Sequence, residues 1–137
     1  MNVNGVQGAV YQMLAHGIST GGLFLCVGVL YERRHTRRID EFGGVASVMP
    51  RFTAVFLIFT LASIGLPGLS GFVGEFLTLL GTFVGNPFAA AIATFVMIFA
   101  AGYLLWMFQR LVFGEIDTQQ PEPVAMPPLK IGDAILL

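Results

Sequence analysis

Two titratable side chains, His16 and Glu75, stand in stretches otherwise free of charge, and their chemistry sets the problem. From residue 1 to 31 there is no Lys, Arg, Asp or Glu, and between 52 and 109 Glu75 is the only one. A carboxyl group in an apolar segment of membrane length is costly, and is kept chiefly where it pairs, is hydrated or handles ions. Burial favours its neutral form, while the positive end of a helix favours the carboxylate, so a group held between the two can load and release a proton. Thr78 and Thr82 follow Glu75 at i+3 and i+7 on the same helical face and could line a hydrated path. The plainer alternatives are a protonated Glu75 that only satisfies nearby backbone groups, and threonines that only pack.

His16 is flanked by Gln12 at i−4, Ser19 at i+3 and Thr20 at i+4, which puts all of these on one side of a helix, where Gln12, Ser19 and Thr20 could line the path as well. An imidazole backed by hydrogen-bonding groups in an apolar helix suits proton relay; a neutral histidine bonded to a neighbouring helix is the other reading. Just before Glu75 runs Gly65-Leu66-Pro67-Gly68-Leu69-Ser70-Gly71. Pro67 lacks an amide donor and clashes with the preceding helical turn, and the glycines permit non-helical backbone, so Pro67, Gly68, Ser70 and Gly71 are assigned to a helix break. Glu75 is expected near the first turn of the helix that follows.

The elements that must hold these groups follow from composition. Of the 137 residues, 55% are hydrophobic and 11% charged, against about 25% charge in an ordinary soluble domain. Mean hydropathy is +0.79. Too few polar groups are present to cover a water-facing surface, which excludes a disordered tail, a nucleic-acid binder and a charged soluble enzyme; the lipid bilayer is the expected surroundings. Cys26 is the only cysteine, and with His16 and His35 it offers no metal-ligand spacing, so it reads as a small apolar filler.

The fold class expected is all-α: a polytopic transmembrane helix bundle fragment with one discontinuous helix. Crossings are expected over about 6–31, 53–84 and 87–109, because about 20 apolar residues span a hydrocarbon core. The middle one, as a straight rod, would extend about 48 Å at 1.5 Å per residue, well past the core, so it is split near 65–71 into halves at 53–64 and 72–84. Lipid does not tolerate unpaired backbone, so such a break must be buried in protein or line a watery cavity. Asn86 is expected to cap the third crossing with Pro87 at its first position. Gly17 with Gly21, and Gly81 with Gly85, have the spacing of close helix contacts. Loop 32–51 carries Arg33, Arg34, Arg37, Arg38 and Arg51, which makes it cytoplasmic by the positive-inside rule; its 32–38 cluster could also dock headgroups or a partner. Tyr31, Tyr103, Trp106 and Arg110 fit the interface on that side. Residues 114–128 read as a Pro-rich loop and 129–137 as the start of a further helix, as in an excerpt of a longer protein.

Three ordered motifs carry a resemblance. Met13-Leu14-Ala15-His16-Gly17, Leu30-Tyr31-Glu32-Arg33-Arg34-His35-Thr36-Arg37, and Gly65 through Phe76 closely resemble the subunit M (chain 4) family of proton-pumping NADH-quinone oxidoreductases, antiporter-like membrane subunits. The resemblance implies a large helix bundle crossed by a chain of buried ionisable residues, with an acidic residue in a late broken helix matching Glu75 and a buried histidine matching His16. The sister subunits usually carry Lys where Glu75 stands. It further implies proton translocation without a cofactor in this chain: flavin, iron-sulfur clusters and quinone belong to partner subunits, and other membrane-arm subunits are its partners, with no nucleic acid. Related subunits of multisubunit sodium/proton antiporters and membrane-bound hydrogenases stay open as alternatives, as does an inert structural membrane segment.

Overall fold

A computed structural model describes residues 3–114, and these are helical with short connections. The Pro-rich loop expected at 114–128 beyond its first residue, and the helix start expected at 129–137, lie outside the described residues. Helix α1 runs over Val3–Arg34, followed by a 3-10 turn at Ile39–Glu41 and the short α2 at Val45–Val48. Then come α3 (Pro50–Ile64), α4 (Ser70–Gly85) and α5 (Pro87–Phe113). At 32 and 27 residues, α1 and α5 are long and apolar enough to cross a bilayer, whereas α3 and α4, at 15 and 16 residues, are each too short alone.

Helices α3 and α4 lie end to end along α1, antiparallel to it. The ring of Phe59 covers Gly22, and Gly74 packs on Gln12. A methyl group at Gly8 would stand 2.7 Å from Leu77 Cβ. Positions on α1 therefore fall as positions on α3 and α4 rise, and the gap between the two short helices faces the middle of α1. Close approach at Gly8, Gly22 and Gly74 suits helices that gain little from hydrophobic exclusion in lipid and depend on packing. Three of the spaced glycines singled out in the sequence do not serve this role: a Cβ added at Gly17, Gly21 or Gly85 would meet nothing within 4 Å. The reason is angular, since the buried stripe of α1 is Gly8, Ala15, Ser19, Gly22, Cys26 and Leu30, and Gly17 and Gly21 sit about 200° round from Ala15 and Ser19.

At the Arg-rich end, Cys26, Leu30, Phe42, Val45, Met49, Phe52, Phe56, Phe108, Leu111 and Val112 form one buried cluster. The Phe56 ring lies 5.4 Å from that of Phe108 and 6.0 Å from that of Phe52. Around it, guanidinium groups sit over aromatic faces: Arg34 on Phe42, Arg37 on Tyr31 at 5.0 Å, and Arg110 on Trp106 at 4.9 Å. The connection expected as loop over 32–51 is thus partly helical, because Pro50 at a first helical position starts α3 early and residues 45–48 complete a turn. At the opposite end, Asn86 Oδ1 accepts from the Ala89 amide at 3.1 Å, capping α5, whose first residue is Pro87.

Candidate functional site

The break occupies residues 65–69, tighter than the 65–71 expected, because Ser70 and Gly71 already belong to α4. Its mechanism also differs from a proline clash inside a helix. Helix α3 ends before Pro67, at Gly65, which adopts φ 76° in the left-handed region. The Leu66 amide returns to Leu61 O at 3.2 Å and the Gly65 amide to Ala62 O at 3.4 Å, the paired bonds of a Schellman cap. Leu66-Pro67-Gly68-Leu69 then makes a tight turn, with Gly68 at φ 100° and the Leu69 amide donating to Leu66 O at 3.0 Å. Proline second and a positive-φ glycine third are the residues such a type II turn requires. Gly71 completes the junction: a side chain there would strike the Ala62 carbonyl, so the absence of one lets α4 start hard against the end of α3.

Glu75 is the sixth residue of α4, two residues deeper than expected and past its first turn. The helix dipole acts mainly within the first turn, so the surroundings of the carboxyl group depend more on its immediate neighbours. Those neighbours are specific. Glu75 Oε2 presses against Gly65, where any side chain would displace it, and Glu75 Oε1 accepts a hydrogen bond from Gln12 Nε2 at 3.3 Å. Gln12 belongs to α1, 63 positions away in sequence, and is seated on Gly74, whose added methyl would stand 2.8 Å from Gln12 Cβ. The half-buried carboxyl therefore joins three elements: α1, the break and α4.

The other residues singled out in the sequence are distributed around this centre. His16 is exposed and makes its side-chain bond within α1, to Thr20 Oγ1 at 3.3 Å, with no hydrogen bond to Glu75. Ser19 is buried and donates to His16 O at 3.3 Å. The face assumed to be shared by Gln12, His16, Ser19 and Thr20 is thus divided, with Gln12 and Ser19 turned toward the bundle and His16 turned out. Thr78 donates to Gly74 O at 2.7 Å and Thr82 to Thr78 O at 2.8 Å, so each hydroxyl proton is committed to its own helix and only oxygen lone pairs face outward. Both line a largely apolar groove of about 580 Å³ between α1 and α4, with Val6, Val10 and Met13 opposite. Buried oxygens without a hydrogen-bond partner among the described residues include Gln12 Oε1 and Ser63 Oγ, both close in sequence or space to the break. No group of three metal-ligating side chains occurs among the described residues. The pairing of Gln12 with Glu75 is the contact that sequence reasoning did not find; Gln12 entered as a possible path-lining residue beside His16.

Comparison with known proteins places this geometry in context. A family model described as NADH:quinone oxidoreductase/Mrp antiporter, TM, matches residues 1–102. The chain is 55% identical over 115 residues to NADH-quinone oxidoreductase subunit M of Rhodobacter capsulatus, covering 84% of this chain and 22% of that one. It is 51% identical over 116 residues to subunit M of Rickettsia conorii, covering 85% and 24%. It is 48% identical over 114 residues to NADH-ubiquinone oxidoreductase chain 4 of Marchantia polymorpha, covering 83% and 23%. The chain spans about a quarter of the length of these curated relatives. With an all-helical build, a mid-length helix break and a match over residues 1–102, the chain belongs to the NADH:quinone oxidoreductase/Mrp antiporter transmembrane family.

Proposed function

We propose that this chain forms a proton-handling part of an antiporter-like membrane-arm subunit of NADH-quinone oxidoreductase, in which the Glu75 carboxyl takes up and releases the translocated proton. The observation that carries this reading is the position of that carboxyl: against Gly65 of a helix break beside the middle of α1, and bonded by Gln12. In a membrane family, unwound backbone at that depth needs protein or water to satisfy it, and an ionisable group beside it is retained for ion handling.

In this reading Pro67, Gly68, Ser70 and Gly71 shape the stretch that admits water, and His16 relays protons on the outward side of α1. Gln12, Ser19, Thr20, Thr78 and Thr82 line the route; the Thr78 and Thr82 oxygens accept from water while their own protons stay on backbone carbonyls. A change of charge elsewhere in the subunit alters the field at His16 and Glu75, shifts their proton affinities and opens water contact toward one side. The chain carries no cofactor of its own in this reading; flavin, iron-sulfur clusters and quinone belong to partner subunits, and the neighbours are other membrane-arm subunits. The Arg-rich connection faces the cytoplasm, where its guanidinium groups stacked on aromatic rings, Arg34 on Phe42 and Arg37 on Tyr31, sit at the lipid interface. Higher identity to the bacterial relatives than to the plant one supports a bacterial inner membrane.

Glu75→Gln in the full-length subunit of the assembled complex is the direct test. NADH-driven proton translocation should fall while the complex still assembles. Translocation at the wild-type level would remove Glu75 from the path. The family description also names Mrp antiporters, so sodium/proton exchange is the second reading. It predicts that sodium gradients, rather than NADH oxidation, drive the flux that Glu75→Gln abolishes.

A further inference from the structure

Gln12 has an amide with two unlike ends, and one of them is engaged. Its Nε2 donates to Glu75 Oε1 at 3.3 Å, whereas its Oε1 is buried with no hydrogen-bond partner among the described residues. A buried acceptor left unpaired is costly and uncommon in a native structure, so its retention calls for a reason. The two charge states of the neighbouring acid supply one. An ionised carboxylate only accepts hydrogen bonds and matches the NH2 end of the amide; a protonated carboxyl group has one O–H to give and needs an acceptor. The amide that carries the donor also carries that acceptor.

Gln12 packs along Gly74, where an added methyl group would meet Oε1 first and then the inner part of the side chain. A methyl group at Gly74 would lie 2.8 Å from Gln12 Cβ and 2.9 Å from its Cα, so backbone and first carbon are held tightly against α4. A half-turn about the last carbon–carbon bond exchanges Nε2 and Oε1 without moving α1. Other charged or titratable groups on the packed elements stand apart from this pair among the described residues. On α1, Tyr11 and His16 are exposed, and His16 bonds Thr20. On α3, Arg51 occupies the opposite end of the helix from Gly65. On α5, Tyr103 is exposed and Arg110 lies beside Asp40 and Phe42 of the Arg-rich connection.

We propose that Gln12 is the hydrogen-bond partner of Glu75 in both of its protonation states, donating Nε2–H to the carboxylate and, after a half-turn of the amide, accepting the acid's O–H at Oε1. This rests on the reading of Glu75 as the proton-carrying group and assigns Gln12 as its positioning residue. The proton arrives at and leaves from a Glu75 oxygen; the amide gains and loses none, and no covalent bond of Gln12 changes. Loading and unloading thus leave no unpaired hydrogen on the acid in either state, and they require no displacement of the helices.

The test uses the full-length subunit in the assembled complex, followed by infrared difference spectroscopy across a pH titration. In the wild type, the side-chain amide carbonyl band of glutamine should shift to lower frequency as the Glu75 carboxyl band appears, with one common midpoint, and both changes should vanish in Glu75→Gln. An amide band that stays fixed while Glu75 titrates overturns the proposal. A Glu75 band that never titrates overturns the reading beneath it, and the proposal with it. In parallel, Gln12→Met keeps the length of the side chain but neither donates nor accepts. It should slow proton translocation about tenfold, the equivalent of one hydrogen bond to a charged group. Added to Glu75→Gln it should cause no further loss of assembly or of residual translocation. A further loss in that double variant means that Gln12 acts by packing alone, which contradicts the proposal.

Discussion

Gly65 meets two demands at once, and replacing it separates them. Its φ of 76° belongs to the left-handed region, where a residue with a Cβ pays about 1–2 kcal/mol. A Cβ at this position would also stand 2.9 Å from Glu75 Cδ and closer still to Oε2, so the carboxyl must swing away and lose its bond to Gln12. A hydrogen bond to a charged group is worth about 1.5–3 kcal/mol, which brings Gly65→Ala to a total of about 2.5–5 kcal/mol. Gly68→Ala is the matched control: its φ is 100°, yet nothing lies within 4 Å of the added carbon, so only the backbone penalty of about 1–2 kcal/mol applies. Stability of the full-length subunit in detergent and NADH-driven proton uptake into vesicles would be measured for both. Each variant should be less stable than wild type, with Gly65→Ala the weaker. Proton uptake should fall about tenfold or more in Gly65→Ala and by clearly less in Gly68→Ala, since each 1.4 kcal/mol corresponds to a factor of ten and only the first displaces the carboxyl. Equal losses in the two variants, or wild-type uptake in Gly65→Ala, would refute the idea that Gly65 makes room for the carboxyl.

Gly74→Val should push α1 off α4, because its first carbon already meets the Gln12 backbone at 2.9 Å; a loss of about 1–3 kcal/mol typical of overpacking is expected in unfolding titrations. Phe56→Ala empties a ring position packed between Phe52 and Phe108. The lost transfer energy of the ring together with the void it leaves should cost about 3–5 kcal/mol in the same titrations while sparing the site. In the Arg-rich connection, a bond from its own backbone and then the Arg38 guanidinium, 2.8 Å away, hold the Asp40 carboxyl below the usual carboxylate range. A depressed folded value stabilises above the unfolded value of about 3.9 and is lost as pH falls through the folded one. A spin label at Ile39 should therefore gain mobility below about pH 4, by a small margin that high salt reduces further, because the pair is exposed.

Features written in neighbouring residues were legible in the sequence, and features that depend on distant packing were not. Asn86-Pro87 signals a helix start by itself, and its cap forms as such signals imply. The run from Gly65 to Gly71 likewise announces a break, since these residue types have few other uses inside an apolar segment. What it did not disclose is that Gly65 ends α3 before Pro67 is reached, leaving Pro67 to shape a turn outside any helix. The pairing of Gln12 with Glu75 had no local signature, because it follows from α1 lying antiparallel along the two short helices. The same packing decides that Ser19 turns in and His16 out, though helical spacing alone groups them. Gly17 and Gly21 have the spacing of a contact but sit on the wrong side of α1, whereas Gly8, Gly22 and Gly74 make the close approaches. Spacing gives a face; only the partner helix decides which face is used.

The central claim is that an acid lodged at an unwound point of a membrane helix exchanges protons as the complex works. Time-resolved infrared difference spectra of the assembled complex, recorded during NADH-driven turnover with wild-type subunit and with Glu75→Gln, test it most directly. A carboxylic band that rises and decays with turnover in the wild type and is missing from the variant is the expected result. Identical spectra from the two would mean that residue 75 keeps one protonation state throughout, and would contradict the account.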